Sequence, residues 1–196
     1  GDHPMKTRCF VYCLLCILLL TLLAGCAEKE PASDSGSPAS DAAAGSDEAS
    51  ASDPVTFDAQ TLDGASLSSD LFADSRITMV NVWATYCNPC LNEMPGLGEL
   101  ALTYDSEDFQ LIGIISDVME GADEKTLQKA ADLVAQTGAD YPHLLLNESL
   151  YTALLKEVSA VPTTFFVNQD GQILDTVIGA MEKSAWEEQI DALLEP

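Results

Sequence analysis

Hydrophobic residues from position 54 onward fall into runs that predict buried strands and amphipathic helices in alternation. Residues 77–83 (ITMVNVW) are β-branched and largely apolar, as expected of a strand that is buried on both faces. Residues 109–115 (FQLIGII) predict a second strand of the same kind. Between the two strands, apolar side chains recur at helical spacing over 91–104, which predicts a helix directly after the first strand.

The same kind of pattern predicts a further helix over 125–136, which Gly138 is expected to end. A closing helix is predicted over 184–194, with Ser184 as its N-cap and Glu187 completing a capping box. The other predicted elements are a short strand over 141–146, a helix over 149–158, and a hairpin of strands over 163–167 and 172–178. Two strand–helix units followed by a hairpin and a helix predict an α/β fold, in which helices cover both faces of a sheet.

The N-terminal segment has the pattern of a targeting sequence. The apolar run 10–24 follows a short basic stretch; it is too short for a membrane span of about 20 residues and fits the core of a signal peptide. Leu-Ala-Gly-Cys at 23–26 resembles the bacterial lipobox, whose cysteine is lipidated after cleavage. We therefore expect a lipoprotein signal peptide over 5–25, lipidation of Cys26 and a cloning remnant at 1–4. An uncleaved anchor helix is the alternative, and both arrangements put the rest of the chain on the extracytoplasmic face of a bacterial cell membrane.

Between the targeting sequence and the patterned region lies a stretch without hydrophobic periodicity. Residues 27–53 are mostly Ala, Ser, Asp and Glu, and they include no aromatic or large aliphatic side chain. Such a segment cannot bury enough apolar surface to offset the entropy of ordering. The sequence therefore predicts that 26–53 is a lipidated cysteine followed by a disordered acidic linker, and that 54–196 is one folded domain.

The charge of the chain restricts its partners. Against 32 Asp and Glu stand only 8 Lys and Arg, for a formal net charge of −24. Nucleic acid is disfavoured as a partner because its affinity depends on basic side chains that neutralise phosphates. Direct adsorption to anionic lipid is disfavoured for the same reason. Basic or neutral proteins remain as partners.

Candidate chemistry lies directly after the first buried strand, in Cys87-Asn88-Pro89-Cys90. A cysteine at a helix N-terminus experiences the positive end of the macrodipole, which favours its thiolate. Such a pair can be half of a zinc site, a structural disulfide or a redox pair. Zinc needs four ligands, and beyond this pair the domain offers only one histidine, His143. Because these two cysteines are the only ones in the domain, we favour the redox pair.

Trp83-Ala84-Thr85-Tyr86-Cys87-Asn88-Pro89-Cys90 resembles the Trp-Ala-x-Trp-Cys-x-Pro-Cys signature of the thioredoxin superfamily. Val-Pro-Thr at 161–163 resembles the segment of that family whose proline is cis and faces the dithiol. Within the superfamily, Cys-x-x-Glu-x-Pro at 90–95 and the segment 57–64 are similar to the membrane-tethered TlpA/ResA branch. The resemblance implies a thioredoxin-like three-layer sandwich with a mixed central sheet, helices on both faces, and an extra helix inserted near 117–140.

The resemblance also implies roles for individual residues. Cys87 would attack a protein disulfide and Cys90 would resolve the mixed disulfide, while Glu93, one turn further along the helix, would tune the thiols and take part in proton transfer. A set of neighbouring residues is expected to contact the substrate, namely Trp83, Asn88, Pro89, Val161 and Pro162. The redox-active disulfide itself is the only cofactor expected, and no metal is implied.

The function expected from the resemblance is that of a membrane-anchored, extracytoplasmic protein thiol–disulfide oxidoreductase. The TlpA/ResA branch favours a reductase that receives electrons from a membrane carrier such as a CcdA/DsbD-like protein, with cytochrome c maturation as one role. A disulfide-forming oxidase or isomerase would use the same dithiol, and a non-catalytic binding or metal-handling lipoprotein is a further alternative. A peroxiredoxin is disfavoured, because Val80 and Ala84 occupy the positions of the Pro and Thr in its Pro-x-x-x-Thr-x-x-Cys motif.

Overall fold

The computed structural model describes residues 53–195. The predicted signal peptide, Cys26 and the linker up to residue 52 lie outside the described residues. Among the helices that are described, none is both long enough and apolar enough to cross a membrane.

Within residues 53–195, seven strands form one small sheet and one large sheet. In chain order they are β1 (Asp58–Gln60), β2 (Ser66–Ser68), β3 (Ile77–Trp83), β4 (Phe109–Met119), β5 (His143–Leu146), β6 (Thr163–Asn168) and β7 (Ile173–Ile178). The large sheet has the order β5-β4-β3-β6-β7, with β3, β4 and β5 parallel and β6 antiparallel to both of its neighbours. This is the predicted mixed sheet, and β3 has the bounds that its apolar run predicts.

The small sheet was not predicted. β1 and β2 pair as an antiparallel hairpin, and a six-residue 3-10 helix (Ser69–Asp74) follows them. Each strand has three residues, most of them polar, so neither shows a hydrophobic alternation long enough to be recognised. β4 also extends beyond its predicted end at 115, and its last residues run past the end of β3.

Three helices of more than two turns cover the large sheet: α1 (Asn88–Leu100), α2 (Glu124–Thr137) and α3 (Lys183–Leu194). α2 lies inside the predicted insertion and ends as predicted at Gly138, whose φ of 67° is the left-handed conformation that glycine adopts readily. A shorter helix, Glu148–Leu150, continues as a π-helix over Tyr151–Leu155 and does not reach the predicted end at 158.

Both ends of α1 and the start of α3 differ from the sequence prediction. α1 begins three residues early, because Cys87 caps it and Pro89 fits its first turn, and it ends at Leu100 instead of 104. The predicted capping box of α3 is wrong. Glu182 is the N-cap, without a side-chain hydrogen bond, and Glu187 lies 3.5 Å from the Lys183 ammonium instead.

The core has two parts, one on each face of the large sheet. On one face, α1 and α3 bury Met94, Leu97 and Trp186 against the sheet. On the other face, Phe72 from the 3-10 helix and Leu154 from the π-helix pack on the sheet. Helices therefore cover both faces, as predicted, and the carboxyl end of β3 emerges between the two layers.

Candidate active site

The two cysteines of the motif lie where β3 leads into α1. Cys87 is the N-cap residue of α1, and the Cys90 backbone N–H points at its sulfur, with an N···Sγ distance of 3.2 Å. The two sulfurs are joined in a disulfide. When this bond is reduced, the same N–H and the helix dipole favour the thiolate of Cys87 over its thiol.

The two cysteines differ only slightly in exposure. Cys90 is fully buried, whereas Cys87 retains 6% of its surface, so Cys87 is a recessed residue and not an openly exposed one. The Val161 carbonyl oxygen lies 3.6 Å from Cys87 Sγ and covers part of it. Asn88 and Pro89 are exposed on the first turn of α1.

The Val161–Pro162 segment lies directly against the disulfide. Its peptide bond is cis, Val161 is half-buried and Pro162 is buried. The Gly179 N–H donates to the Pro162 carbonyl oxygen at 2.8 Å, so the loop after β7 fixes this segment from the other side. The structure thus brings together the predicted residues Cys87, Cys90, Val161 and Pro162.

Glu93 follows Cys90 by one turn of α1 and belongs to a buried polar network. Only 7% of its surface is exposed; its carboxylate accepts from the Asn81 amide and from the Met181 backbone N–H, each at 3.1 Å. Burial raises the pKa of Glu93 above its ordinary value, and the hydrogen bonds from Met181 and Asn81 lower it in part. A carboxyl of this kind can hold a proton at a higher pH than a solvated glutamate does.

Asn81 connects this carboxylate to the strand that follows the cis peptide bond. Its amide nitrogen also donates to the Thr164 hydroxyl at 3.0 Å, and its Oδ1 atom has no hydrogen-bond partner within residues 53–195. Asn81 is fully buried in β3. A rotation of the amide would bring Oδ1 to Glu93, so the network can accept a hydrogen from a protonated Glu93 as well as donate to an ionised one.

Trp83, one of the residues predicted to contact the substrate, has no exposed surface in the structure. Its side chain is fully buried under the motif, and its indole N–H donates to Nδ1 of His143 at 3.1 Å. Tyr86, three positions later in the motif, is instead exposed over 72% of its surface. Trp83 therefore packs in the core beneath the motif and not on its surface.

His143, the histidine on which Trp83 rests, is itself buried. Its Nε2 atom lies 2.9 Å from the Ala139 carbonyl oxygen, so the two contacts together require the neutral ring with its proton on Nε2. Burial lowers the pKa of His143 to about 4, although the Ala139 carbonyl opposes this effect. The side chain occupies the space above Gly113, where a Cβ would overlap the ring. No local sequence pattern predicts the contacts of His143 with Trp83 and Gly113, because these residues are distant from it in the chain.

The described residues, 53–195, contain no group of three or more His, Cys, Asp or Glu side chains that could hold a metal ion. The chemistry that the site can perform rests on the dithiol, on the buried carboxyl beneath it and on the backbone of Val161 beside it.

Comparison with known proteins relates the chain to a recognised family. Residues 51–176 match the model of the AhpC/TSA family. The chain is 28% identical over 116 residues to the thiol-disulfide oxidoreductase ResA of Bacillus cereus, covering 59% of this chain and 60% of that protein. It is 32% identical over 124 residues to the thiol:disulfide interchange protein HelX of Rhodobacter capsulatus, covering 62% of each. The matches thus span about three fifths of these relatives' length.

A thioredoxin family protein of Chlorobium tepidum, a thiol:disulfide interchange protein, has a similar structure. The TM-score is 0.65 at 22% identity, and the match covers 76% of this chain and 99% of the other. The fold is therefore thioredoxin-like, as the sequence predicted.

His143 should make the stability of the fold depend on pH. Its pKa is about 4 in the folded chain and about 6.5 in the unfolded chain, so on acidification the unfolded chain takes up this proton first. The stabilisation is complete above pH 6.5 and is lost between pH 6.5 and 4, by up to about 3 kcal/mol.

Denaturant unfolding of the oxidised protein and of His143→Gln, from pH 7.5 to 4, measures this effect. Carboxylates titrate in both proteins and cancel in the difference between their free energies of unfolding. That difference should shrink by a few kcal/mol on acidification, and a difference independent of pH would contradict the buried neutral ring.

Proposed function

We propose that this chain, which belongs to the AhpC/TSA family, is a protein thiol–disulfide oxidoreductase of the ResA type. The observation that carries the proposal is the position of the disulfide-bonded Cys87–Cys90 pair, at the N-terminus of α1 and against the Val161–Pro162 segment. The same elements supply an attacking thiolate, a resolving thiol and a backbone for an extended substrate to bind. The names of the relatives support the same activity.

The reaction exchanges one disulfide for another. The Cys87 thiolate attacks a sulfur of the substrate disulfide, a Cys87–substrate bond forms, and the second substrate sulfur leaves as a thiolate. Cys90 then attacks Cys87 Sγ and releases the first substrate sulfur. Two electrons have passed to the substrate, and the Cys87–Cys90 disulfide remains.

Glu93 is proposed to take up the proton that Cys90 loses in the second step. Cys90 is fully buried, so no solvent base reaches it, whereas Glu93 follows one helical turn later on the same helix. The raised pKa of Glu93 makes its carboxylate a better proton acceptor than a solvated glutamate. Val161 would offer its backbone to an extended substrate segment beside Cys87, with Asn88, Pro89 and Pro162 at its margins.

The proposed direction is reduction of an extracytoplasmic protein disulfide. It is supported by the resemblance of residues 90–95 to the TlpA/ResA branch and by the matches to ResA. Electrons would come from a membrane carrier of the CcdA/DsbD kind, and the lipid on Cys26 would hold the protein at the membrane. A cytochrome c precursor is one candidate substrate.

Replacing Cys90 should trap the substrate. In cells producing Cys90→Ala, we expect a mixed disulfide between Cys87 and the partner, since the resolving sulfur is missing. The adduct should be visible on non-reducing gels and lost on reduction. Cys87→Ala is the matched control and should trap nothing. A non-catalytic binding protein would give no adduct in either variant, which would refute the proposal.

Replacing Glu93 by Gln should make the thiols more acidic. An ionised carboxylate beneath the dithiol disfavours a thiolate, so its removal should lower the thiol pKa of the reduced protein, on the order of one unit. Ultraviolet absorbance of the thiolate against pH measures this shift. Glu99→Gln, an exposed change on the same helix, is the control and should leave the titration unchanged. Equal titrations for Glu93→Gln and the control would remove Glu93 from the mechanism.

Membrane anchoring is tested on Cys26. Mass spectrometry of the protein isolated from the membrane fraction should find a diacylglyceryl group on Cys26, which would be the first residue of the mature chain. Cys26→Ala should leave a protein without lipid that still carries residues 5–25. An unmodified Cys26 in the wild-type protein would refute the lipoprotein assignment.

A further inference from the structure

The loop that carries Cys87 is held by a group of polar side chains to which the proposed reaction gives no role. β3 pairs with β4 only as far as Trp83 and Ile115, so the residues between Trp83 and Cys87 have no strand partner. β4 runs on past this point, and the Ser116 hydroxyl donates to the Trp83 carbonyl oxygen at 2.9 Å. The position of Cys87 therefore depends on side chains that reach the loop from neighbouring elements.

Thr85 is the residue at which this loop is fixed. Its backbone N–H donates to Asp117 Oδ1 at 2.9 Å and its hydroxyl to Asp117 Oδ2 at 2.6 Å, so both carboxylate oxygens bind one residue. Lys129 donates to the same hydroxyl oxygen at 3.1 Å. The Thr85 hydroxyl thus donates a hydrogen bond to the Asp117 carboxylate and accepts one from the Lys129 ammonium. These two bonds fix the orientation of the hydroxyl.

Lys129 brings a positive charge to a protein that has few. The region from residue 54 onward is strongly acidic, and two of its basic side chains, Arg76 and Lys183, form ion pairs with acids on the surface. Lys129 instead binds the hydroxyl of a residue two positions before Cys87, and it comes from α2, the inserted helix. Asp117 and Lys129 therefore place opposite charges on the same short loop.

We propose that Asp117 and Lys129 are positioning residues that act through Thr85 to set the stability of the Cys87 thiolate. Both side chains hold the loop in place. The cation of Lys129, on the inserted helix, stabilises the Cys87 thiolate, and the carboxylate of Asp117, on β4, destabilises it. Neither residue touches the reacting sulfurs. The inference rests on the proposed function only in taking Cys87 as the reactive thiol.

Because the two charges are opposite, their removal should shift the thiol pKa of Cys87 in opposite directions. A loss of structure alone does not predict opposite shifts. In reduced protein, Lys129→Met removes the cation and should raise the thiol pKa of Cys87, whereas Asp117→Asn removes the anion, keeps an amide that can bind Thr85, and should lower it. Each change should amount to about a two- to threefold change in the thiol–thiolate equilibrium constant, because both charges are exposed and screened. The double variant should return close to the wild-type titration.

Further variants separate positioning from general damage. Thr85→Val removes the shared hydroxyl and should abolish the effect of Lys129→Met, and Thr85→Ser should restore it. Lys125→Met, an exposed change on the same helix, is the control and should not shift the titration. Glu93, the other carboxyl near the dithiol, is present in every variant. Its contribution to the thiol pKa therefore cancels when the variants are compared.

The measurements are the thiol titration and the reduction potential of the Cys87–Cys90 pair, which Lys129→Met should make more negative and Asp117→Asn less negative. Shifts in the same direction, no shift, or an equal shift with Lys125→Met would overturn the proposal. None of these readouts needs a substrate. If the two variants shift the thiol pKa in opposite directions but Cys90→Ala traps no partner, this inference stands and the proposed function is refuted. If Cys90→Ala traps a partner but the shifts are not opposite, the proposed function stands and this inference is refuted.

Discussion

The register between β3 and β6 is the constraint on which the site depends. Val82 pairs with Thr163 in antiparallel strands, so the end of one strand and the start of the other meet at the same edge of the sheet. The motif follows β3 and Pro162 precedes β6, so this register brings Cys87 and Val161 to the same edge of the sheet. A slip by one residue would turn every side chain of β6 to the opposite face, so Phe166, which packs in one half of the core, and Val167, which packs in the other, would exchange places.

Three electrostatic influences then compete at the dithiol. The N-terminus of α1 and the Cys90 N–H stabilise a thiolate, whereas the carboxyl of Glu93 opposes one when it is ionised. Because desolvation is the main cause of the raised Glu93 pKa, the strength of this opposition depends on how well the site excludes water. The proposed influence of Asp117 and Lys129, which contact Thr85, would be weaker because both side chains are exposed.

Several features of the fold and the site could be predicted from the sequence because they depend on local patterns. β3 was predicted at its observed bounds, since a strand buried on both faces is a continuous apolar run. The end of α2 was predicted because Gly138 adopts a conformation that other residues avoid. The capping box predicted for α3 was wrong because Ser and Glu three residues apart are also common on helix surfaces. Here Glu187 pairs with Lys183 instead.

The parts that could not be predicted depend on residues distant in the chain. His143 bonds to Trp83 across the sheet, and Asn81 bonds to Glu93 on a helix and to Thr164 on another strand. Thr85 and Lys129 lie 44 positions apart. Such contacts follow from tertiary packing, so a single sequence indicates the residue types but not their partners.

The recessed position of Cys87 limits which disulfides can react. An attacking sulfur must approach its target in line with the bond that breaks, and Cys87 keeps only 6% of its surface, with the Val161 carbonyl oxygen 3.6 Å from its sulfur. A disulfide held in the interior of a compact domain cannot reach so recessed a sulfur, whereas one in an extended or unfolded segment can. Under the proposed function, the protein would therefore distinguish its substrates by their state of folding before any side chain is recognised.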